Sequence, residues 1–324
     1  MTLLRVLAAA AGLAVIGWLW WDIGPDVLVA QVRALSWRLP VVFLPYTLIA
    51  LLDAIGWYYN FLGRRPSVPL LMAVRLAGEA VNLTTPTATL GGEPVKAWLL
   101  TRAGVPLEEG LLSVVIAKTA LVVSHIGFLV VGLTLAFWLV PPTPGLRTFM
   151  VVLTGVGVAA IGGFVWAQQR GLFGASGRAL AWFGIGDRIA GHLFRLDEHV
   201  TDFYRNHRGR FALCVFWHFL GWVAGGFEVW VILRLLDVPV SFATALVIEA
   251  FATAIRSATF MIPASLGAQE GGFVGIFVGF GLGAGAGFAF GVVRRLREVL
   301  WAAVGFAFLA AWRGDLDAAM RRGS

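Results

Sequence analysis

Cysteine and charged residues are both scarce in this sequence. Its 324 residues include a single cysteine, Cys214, and only 13% of them are charged. One cysteine excludes an internal disulfide framework and a multi-cysteine metal site. Soluble globular domains carry about 25% charged residues, so the low charge argues against a soluble domain. P-loop, Gly-x-Ser-x-Gly and His-Glu-x-x-His motifs are also missing, and nothing predicts soluble catalysis or a cofactor.

Long apolar runs account for most of the chain, of which 59% is hydrophobic. About 20 apolar residues in a helix cross a hydrocarbon core about 30 Å thick. We therefore predict an all-α, polytopic membrane protein with about six full spans and two broken hairpins. The first run ends in Trp20-Trp21-Asp22, a poor cleavage context, so we treat it as a retained span. The predicted full spans are 3–21, 41–62, 111–140, 149–167, 211–236 and 288–312, and the interrupted segments are 70–101 and 242–283.

The arginines indicate the orientation of these spans. Cytoplasmic loops of membrane proteins are enriched in Lys and Arg. If both termini are cytoplasmic, most arginines outside the spans fall on the cytoplasmic side, and the opposite loops hold only Arg33, Arg38 and Arg147. We therefore predict a multi-pass protein of the bacterial inner membrane. The net charge of +7 is explained by this topology, and we predict no nucleic-acid partner.

The two interrupted segments resemble each other. In each, a proline precedes a glutamate by seven residues and follows a charged residue by seven, and Pro86 and Pro263 are 177 positions apart. The same offset relates the spans on either side, and the predicted orientation inverts the second copy. We predict an inverted repeat of span, broken hairpin and span, a recurring plan of transporters. The predicted divisions are the N-terminal span and loop 1–40, the first repeat 41–140, a connecting span with a cytoplasmic loop 141–210, the second repeat 211–312 and a cytoplasmic tail 313–324.

The interruptions are candidate binding segments. Irregular backbone at membrane depth persists only where it is buried in protein or lines a wet cavity, and broken helices present free N–H groups to anions. The segments Pro86 to Glu93 and Pro263 to Glu270 would meet near the midplane. Gly91, Gly92 and Gly271 would let a head group approach the backbone. Glycine also lets helices pack closely, and we expect both roles.

Charged residues at bilayer depth face a cavity or an ionic partner, since an isolated charge there is costly. For Arg75, Glu228 and Glu298 we favour ion pairs that hold helices together, with Arg75 and Glu79, and Arg294 and Glu298, spaced for pairing on one helix. Another set is predicted to line a polar cavity, where a surplus of cations would suit an anionic head group. This set comprises Glu93, Lys96, Lys118, Arg256, Glu270 and Arg294.

The long loop contains a further helical pattern. Ile189, Leu193, Leu196, Val200 and Phe203 share one helical face, which predicts an amphipathic helix on the cytoplasmic membrane surface. His192, His199 and His207 are nearby, but they form no tight ligand pair, and a solvated face is the preferred interpretation.

The sequence Asn82-x3-Pro86-x4-Gly91-Gly92-Glu93, followed by Lys96, resembles the transmembrane flippase domain of lysylphosphatidylglycerol synthases and its stand-alone relatives. The second signature, Pro263-Ala-Ser-Leu-Gly-Ala-Gln-Glu270-Gly271, resembles the hopanoid-associated HpnL subgroup. The resemblance runs from about residue 41 to residue 312. It implies movement of a lipid between leaflets, and Asn82 enters the candidate site through it. The synthases also carry an aminoacyl-transferase domain, which we do not expect here.

Three functions are compatible with these observations. The leading hypothesis is a lipid translocase, with an anionic phospholipid, a polyprenyl-linked lipid or a hopanoid as its partner. The alternatives are an intramembrane lipid-modifying enzyme with Glu93 or Glu270 as general base, and a scaffold for a lipid-synthesis enzyme. A homo-oligomer is also compatible with the sequence.

The predicted topology can be tested by cysteine labelling. In a variant without Cys214, a membrane-impermeant thiol reagent added outside the cell should label a cysteine at Thr143 and miss one at Ser176. The loop 168–210 would then be cytoplasmic. Labelling at position 176 alone would reverse the orientation.

Overall fold

The computed structural model describes residues 38–63, 65–85, 91–139, 155, 159, 199–259, 262, 265 and 267–322, with side chains omitted for 39 and 313–322. All regular structure in this part of the chain is α-helical. The predicted spans 3–21 and 149–167 lie outside it, apart from two isolated helical positions. So do Pro86 and Pro263.

Four helices form the first half of the described chain. These are α1 (Leu39–Tyr58), α2 (Val68–Thr84), α3 (Gly92–Arg102) and α4 (Leu107–Leu139). Pro40 and Pro69 lie in the first turns of α1 and α2, where a backbone amide has no partner within the helix. Helix α2 ends at Thr84, and the backbone of its C-cap residue Thr85 is extended, as expected for a residue that precedes a proline.

Four helices in the same order form the second half. These are α5 (Arg208–Leu235), α6 (Phe242–Ala258), α7 (Ala268–Gly279) and α8 (Ala284–Arg322). Ser241 caps α6 by accepting a hydrogen bond from the Thr244 amide at 3.0 Å. Both halves therefore consist of a long helix, a 17-residue helix, a short helix of 11 or 12 residues and a second long helix.

Three of the described helices are long and apolar enough to cross a membrane: Pro40–Tyr58, Leu107–Leu139 and Arg208–Leu235. They correspond to the predicted spans 41–62, 111–140 and 211–236. Helix α8 covers the predicted span 288–312, but charged residues interrupt its first half. At about 1.5 Å per residue, the 17-residue hairpin helices are about 26 Å long, so they are shorter than the bilayer core. These lengths favour re-entrant hairpins over pairs of full spans.

Each half has its own hydrophobic core, and the long helices α1 and α5 pack against each other between them. The start of α1 contributes Val42 to the core of the second half, and the end of α8 packs Leu309 and Trp312 against the core of the first. Helix α2 packs on α8, and α6 packs on α4. The halves are thus interlocked. The predicted repeat, including the inverted relation of the two halves, stays a prediction.

Close helix crossings depend on glycine. A Cβ atom on Gly92 would lie 2.0 Å from the Gly78 carbonyl oxygen, and one on Gly305 would lie 2.2 Å from the Leu76 carbonyl oxygen. The first contact joins the two arms of a hairpin, and the second joins α2 to α8. Gly92 therefore serves close packing, one of the two roles expected of it, and the approach of a head group stays a prediction.

The end of the predicted amphipathic helix is helical over residues 199–206. Its apolar residues Val200 and Phe203 are fully buried against Leu112 and Ile116 of α4. Protein rather than lipid covers these two side chains, which differs from the predicted position on the membrane surface. The reason is that α4 presents a complementary apolar face. Ile189, Leu193 and Leu196 lie outside the described residues.

The glycine crossing within the first hairpin predicts a stability difference between two substitutions. Gly92→Ala forces its new methyl group into the Gly78 carbonyl oxygen, and overpacking of this kind costs about 1–3 kcal/mol. We expect a lower midpoint of thermal unfolding in detergent. Gly275→Ala is the matched control, because no atom lies within 4 Å of a Cβ there. Equal midpoints for both variants would contradict the packing role.

Candidate functional site

A cavity of about 480 Å³, lined by both charged and apolar side chains, lies between the two halves. Of the helices α1 to α8, all except α3 contribute to its wall, as do Ile262 and Ser265 of the second hairpin. Its volume falls within the range of about 300–1,000 Å³ that is usual for small-molecule sites. A smaller cavity of about 40 Å³ adjoins it beside α3 and shares Asp53, Arg75, Glu79 and Lys118 with it.

Glu93 is the centre of an ionic cluster at the first hairpin. Its Oε1 atom accepts hydrogen bonds from Lys96 Nζ at 3.2 Å and from Lys118 Nζ at 3.4 Å. Lys96 also binds Glu79 at 3.0 Å, so the cluster joins α2, α3 and α4. Glu93, Lys96 and Lys118 all line the smaller cavity.

Asn82 caps α3 from the opposite arm of the hairpin. The Gly92 amide donates to Asn82 Oδ1 at 2.7 Å, and Asn82 Nδ2 donates to Glu93 at 3.5 Å. A free amide at a helix start is thereby satisfied. Because this amide is committed to Asn82, it is a structural contact and is not available to an anion.

Asp53 holds three helices together. It pairs with Arg75 of α2, and its Oδ1 atom lies 2.7 Å from His218 Nδ1 of α5. A Cβ atom on Gly221 would lie 2.8 Å from Asp53, so the carboxylate fits closely against α5. Arg75 thus forms an ion pair, as predicted, but with Asp53 rather than with Glu79.

Glu270 has a different environment from Glu93, although the two occupy matching repeat positions. Glu270 Oε2 accepts from the Gly267 amide at 2.8 Å and so caps its own helix, α7. Its Oε1 atom accepts from Arg295 at 2.6 and 3.0 Å. Gly267 has a φ of +75°, a backbone conformation that glycine adopts readily. Glu270 therefore fixes the second hairpin to α8.

Arg295 lies 177 positions after Lys118. The pairs Glu93–Lys118 and Glu270–Arg295 are therefore equivalent under the predicted repeat, and both are formed. Arg294, which was predicted to line the cavity instead, pairs with Glu249 of α6 and lies 3.6 Å from Glu228 of α5. The equivalence of the two halves stays a prediction.

Glu298 connects the second hairpin to the cavity. It accepts from Arg256 Nη2 at 2.8 Å, from Arg295 at 3.0 Å and from Gln269 at 3.4 Å. Glu228 forms an ion pair with Arg297 at 2.8 Å. Glu228 and Glu298 therefore form ion pairs, as predicted, but Glu298 pairs with Arg256 and Arg295 rather than with Arg294.

The predicted site residues separate into groups. Asn82, Lys118, Arg256 and Arg294 line the main cavity. Glu93 and Lys96 line the smaller one, together with Lys118. Gly91, Gly92, Glu270 and Gly271 line neither cavity, and Pro86 and Pro263 lie outside the described residues.

The described wall of the main cavity carries no surplus of cations, in contrast to the expectation from sequence. Five acidic and five basic side chains line it, and each has an oppositely charged partner within 4.0 Å. The acidic residues are Asp53, Glu79, Glu228, Glu249 and Glu298, and the basic ones are Arg75, Lys118, Arg256, Arg294 and Arg297.

Several lining residues were not selected from the sequence. Asp53 and His218 stand alone in apolar spans, where an isolated ionisable residue is itself a signal of function. Aromatic side chains also line the main cavity: Tyr46 contacts Trp301, and Trp222 stacks on His125 with ring centroids 4.3 Å apart. No sequence motif marked these rings. Within the described ranges, no group of three or more His, Cys, Asp or Glu residues could hold a metal ion.

Comparison with known proteins assigns the chain to a family. Residues 3–305 match the family described as the lysylphosphatidylglycerol synthase TM region. No curated protein and no solved structure gives a significant match. The match covers nearly the whole chain, including both hairpins and the cavity between them. The chain is therefore a membrane protein of the lysylphosphatidylglycerol synthase transmembrane family.

Proposed function

We propose that this protein is a lipid translocase that moves a lipid head group between the leaflets of a bacterial inner membrane. The main support is the cavity between the halves, which combines charged side chains with an apolar surround. Charged side chains at bilayer depth are retained mostly where they serve a path or a site. The family itself ties the chain to lipid synthesis or translocation.

The fold supports a path as well as a site. Two short hairpins, one in each half, end beside the cavity, and Asn82 and Gln269 from them contribute to its wall. In transporters built from inverted repeats, substrates bind near the midplane between the repeats. The head group would occupy the cavity while the hydrophobic tail stays in lipid. Cytoplasmic termini and a hopanoid-associated subgroup remain part of this proposal.

The enzyme alternative would need a nucleophile within reach of a substrate. Cys214 lies one turn before His218, which contacts Asp53, so the residue types of a Cys-His-Asp nucleophile are brought near one another. Cys214 is fully buried and lines neither cavity. A head group in the cavity would not reach its sulfur atom, so we favour translocation.

Glu93 and Glu270 make different contacts, so we expect their glutamine variants to behave differently. Glu93→Gln should stay folded, because Lys96 keeps Glu79 as a partner. It should slow translocation at least tenfold, because Lys118 at the cavity wall loses its carboxylate partner. Glu270→Gln should lower the unfolding midpoint, since the Gly267 amide and Arg295 both lose a charged acceptor, and hydrogen bonds to charged groups contribute about 1.5–3 kcal/mol.

The measurement is the rate at which a lipid labelled on its head group moves between the two leaflets of reconstituted vesicles. The thermal unfolding of each variant is measured alongside. Glu108→Gln, at an exposed position near the start of α4, is the control for charge removal and should transport at the wild-type rate. A wild-type rate for Glu93→Gln would remove this cluster from the path. Absence of translocation by the wild-type protein would reject the function.

A further inference from the structure

The charges that line the main cavity differ greatly in how far they are exposed. The side chains of Glu79, Lys118 and Arg256 are 36%, 27% and 44% exposed. Every other charged side chain of the described wall is at most 15% exposed. A ligand in the cavity therefore meets one carboxylate and two cations, while the remaining charges are committed to bonds between helices.

From this arrangement we propose that the cavity binds a zwitterionic phospholipid head group, with its phosphate at Arg256 and Lys118 and its cationic group at Glu79. This inference rests on the proposed function and specifies its substrate class. It replaces the anionic head group that the sequence suggested.

Charge balance is the first argument for a zwitterion. The ten charged residues of the described wall sum to zero, and all are paired. An uncompensated charge is costly in a site of low dielectric constant. A net anionic head group would place one excess negative charge among these pairs, next to the accessible carboxylate of Glu79. A zwitterion keeps the cavity neutral.

The second argument is the chemistry of the accessible side chains. Arg256 donates to Glu298 through Nη2, and the planar guanidinium has further N–H groups that match phosphate oxygens. The Glu79 carboxylate, which accepts from Lys96 through Oε1, has a second oxygen for an ammonium group. Glu79 and Arg256 are 177 positions apart, so the predicted repeat supplies opposite charges at equivalent positions.

An uncharged polyol head group is the alternative that the test must separate. It would use the aromatic wall and the hydrogen-bonding groups, and it would be indifferent to the charge of Glu79. The three probes are phosphatidylethanolamine, phosphatidylglycerol and a glucosyl diacylglycerol with identical acyl chains. They represent zwitterionic, anionic and uncharged head groups.

The experiment measures the affinity of the purified full-length chain for each lipid in detergent, from lipid-dependent shifts of the unfolding midpoint. We expect the wild-type protein to bind phosphatidylethanolamine at least fivefold more tightly than either other lipid. Glu79→Gln should weaken phosphatidylethanolamine binding about tenfold to a hundredfold, the usual size of a hydrogen bond to a charged group. It should bind phosphatidylglycerol at least as well as the wild type does.

Asp237→Asn is the matched control. It removes one negative charge from the turn after α5, outside both cavities, and asparagine tolerates the positive φ of this position. It should leave all three affinities unchanged. Arg256→Gln should weaken the binding of both phospholipids and leave the binding of the glycolipid unchanged. This result tests the inference even if Glu79→Gln proves unstable.

Several outcomes would overturn the inference. Tighter binding of phosphatidylglycerol by the wild type would restore an anionic substrate, and equal binding of the glycolipid would show that charge does not select the head group. No midpoint shift with any lipid would also reject the site. Translocation of head-labelled lipids, measured in parallel, separates the hypotheses: transport without preference for phosphatidylethanolamine preserves the proposed function and rejects the zwitterion.

Discussion

The pairing of buried charges is the constraint on which this structure depends. An ionised side chain inside a bilayer needs an oppositely charged neighbour, because neither lipid nor apolar protein can solvate it. Asp53 with Arg75 and His218 joins α1, α2 and α5, and Arg294 with Glu249 joins α8 to α6. Loss of one partner would leave the other uncompensated, at a cost of about 3–5 kcal/mol. The ion pairs therefore fix which helices are neighbours.

The same constraint gives the two hairpins different characters. Glu270 caps α7 and binds Arg295, so the second hairpin is tied to α8 by one compact set of contacts. The first hairpin uses Asn82 to cap α3, which leaves Glu93 to two lysines. Positions that the predicted repeat makes equivalent thus carry a helix cap in one half and an ionic cluster beside the cavity in the other. Under the proposed function, the first hairpin is the one closer to the path of the head group.

Glycine and charge together create the cavity. Gly92 and Gly305 let backbones approach closely around α2, and ion pairs of residues in the cavity wall join α1 to α2 and α8 to α6. The space left between the halves keeps Glu79, Lys118 and Arg256 accessible at its wall. Passage of a lipid head group requires a site with polar side chains between two halves that lie in the membrane. The lipid tail need not leave the bilayer.

The sequence by itself determined the helical membrane class, the three apolar spans and the broken segments. Apolar run length and proline position act locally. The helix ends fall within about four residues of those expected, except that α8 continues to Arg322, well beyond the predicted end at residue 312. It also identified several residues of the cavity wall, Lys118 and Arg256 among them, because a charged residue within an apolar run can be recognised from the sequence alone.

Only the tertiary structure decided the ionic partners of these residues. Spacing on one helix suggested Arg75 with Glu79 and Arg294 with Glu298, whereas the observed pairs are Arg75 with Asp53 and Arg294 with Glu249. A carboxylate at the right spacing on the same helix competes with carboxylates that other helices bring equally close. Which ion pair forms therefore depends on the packing of helices that are far apart in the chain.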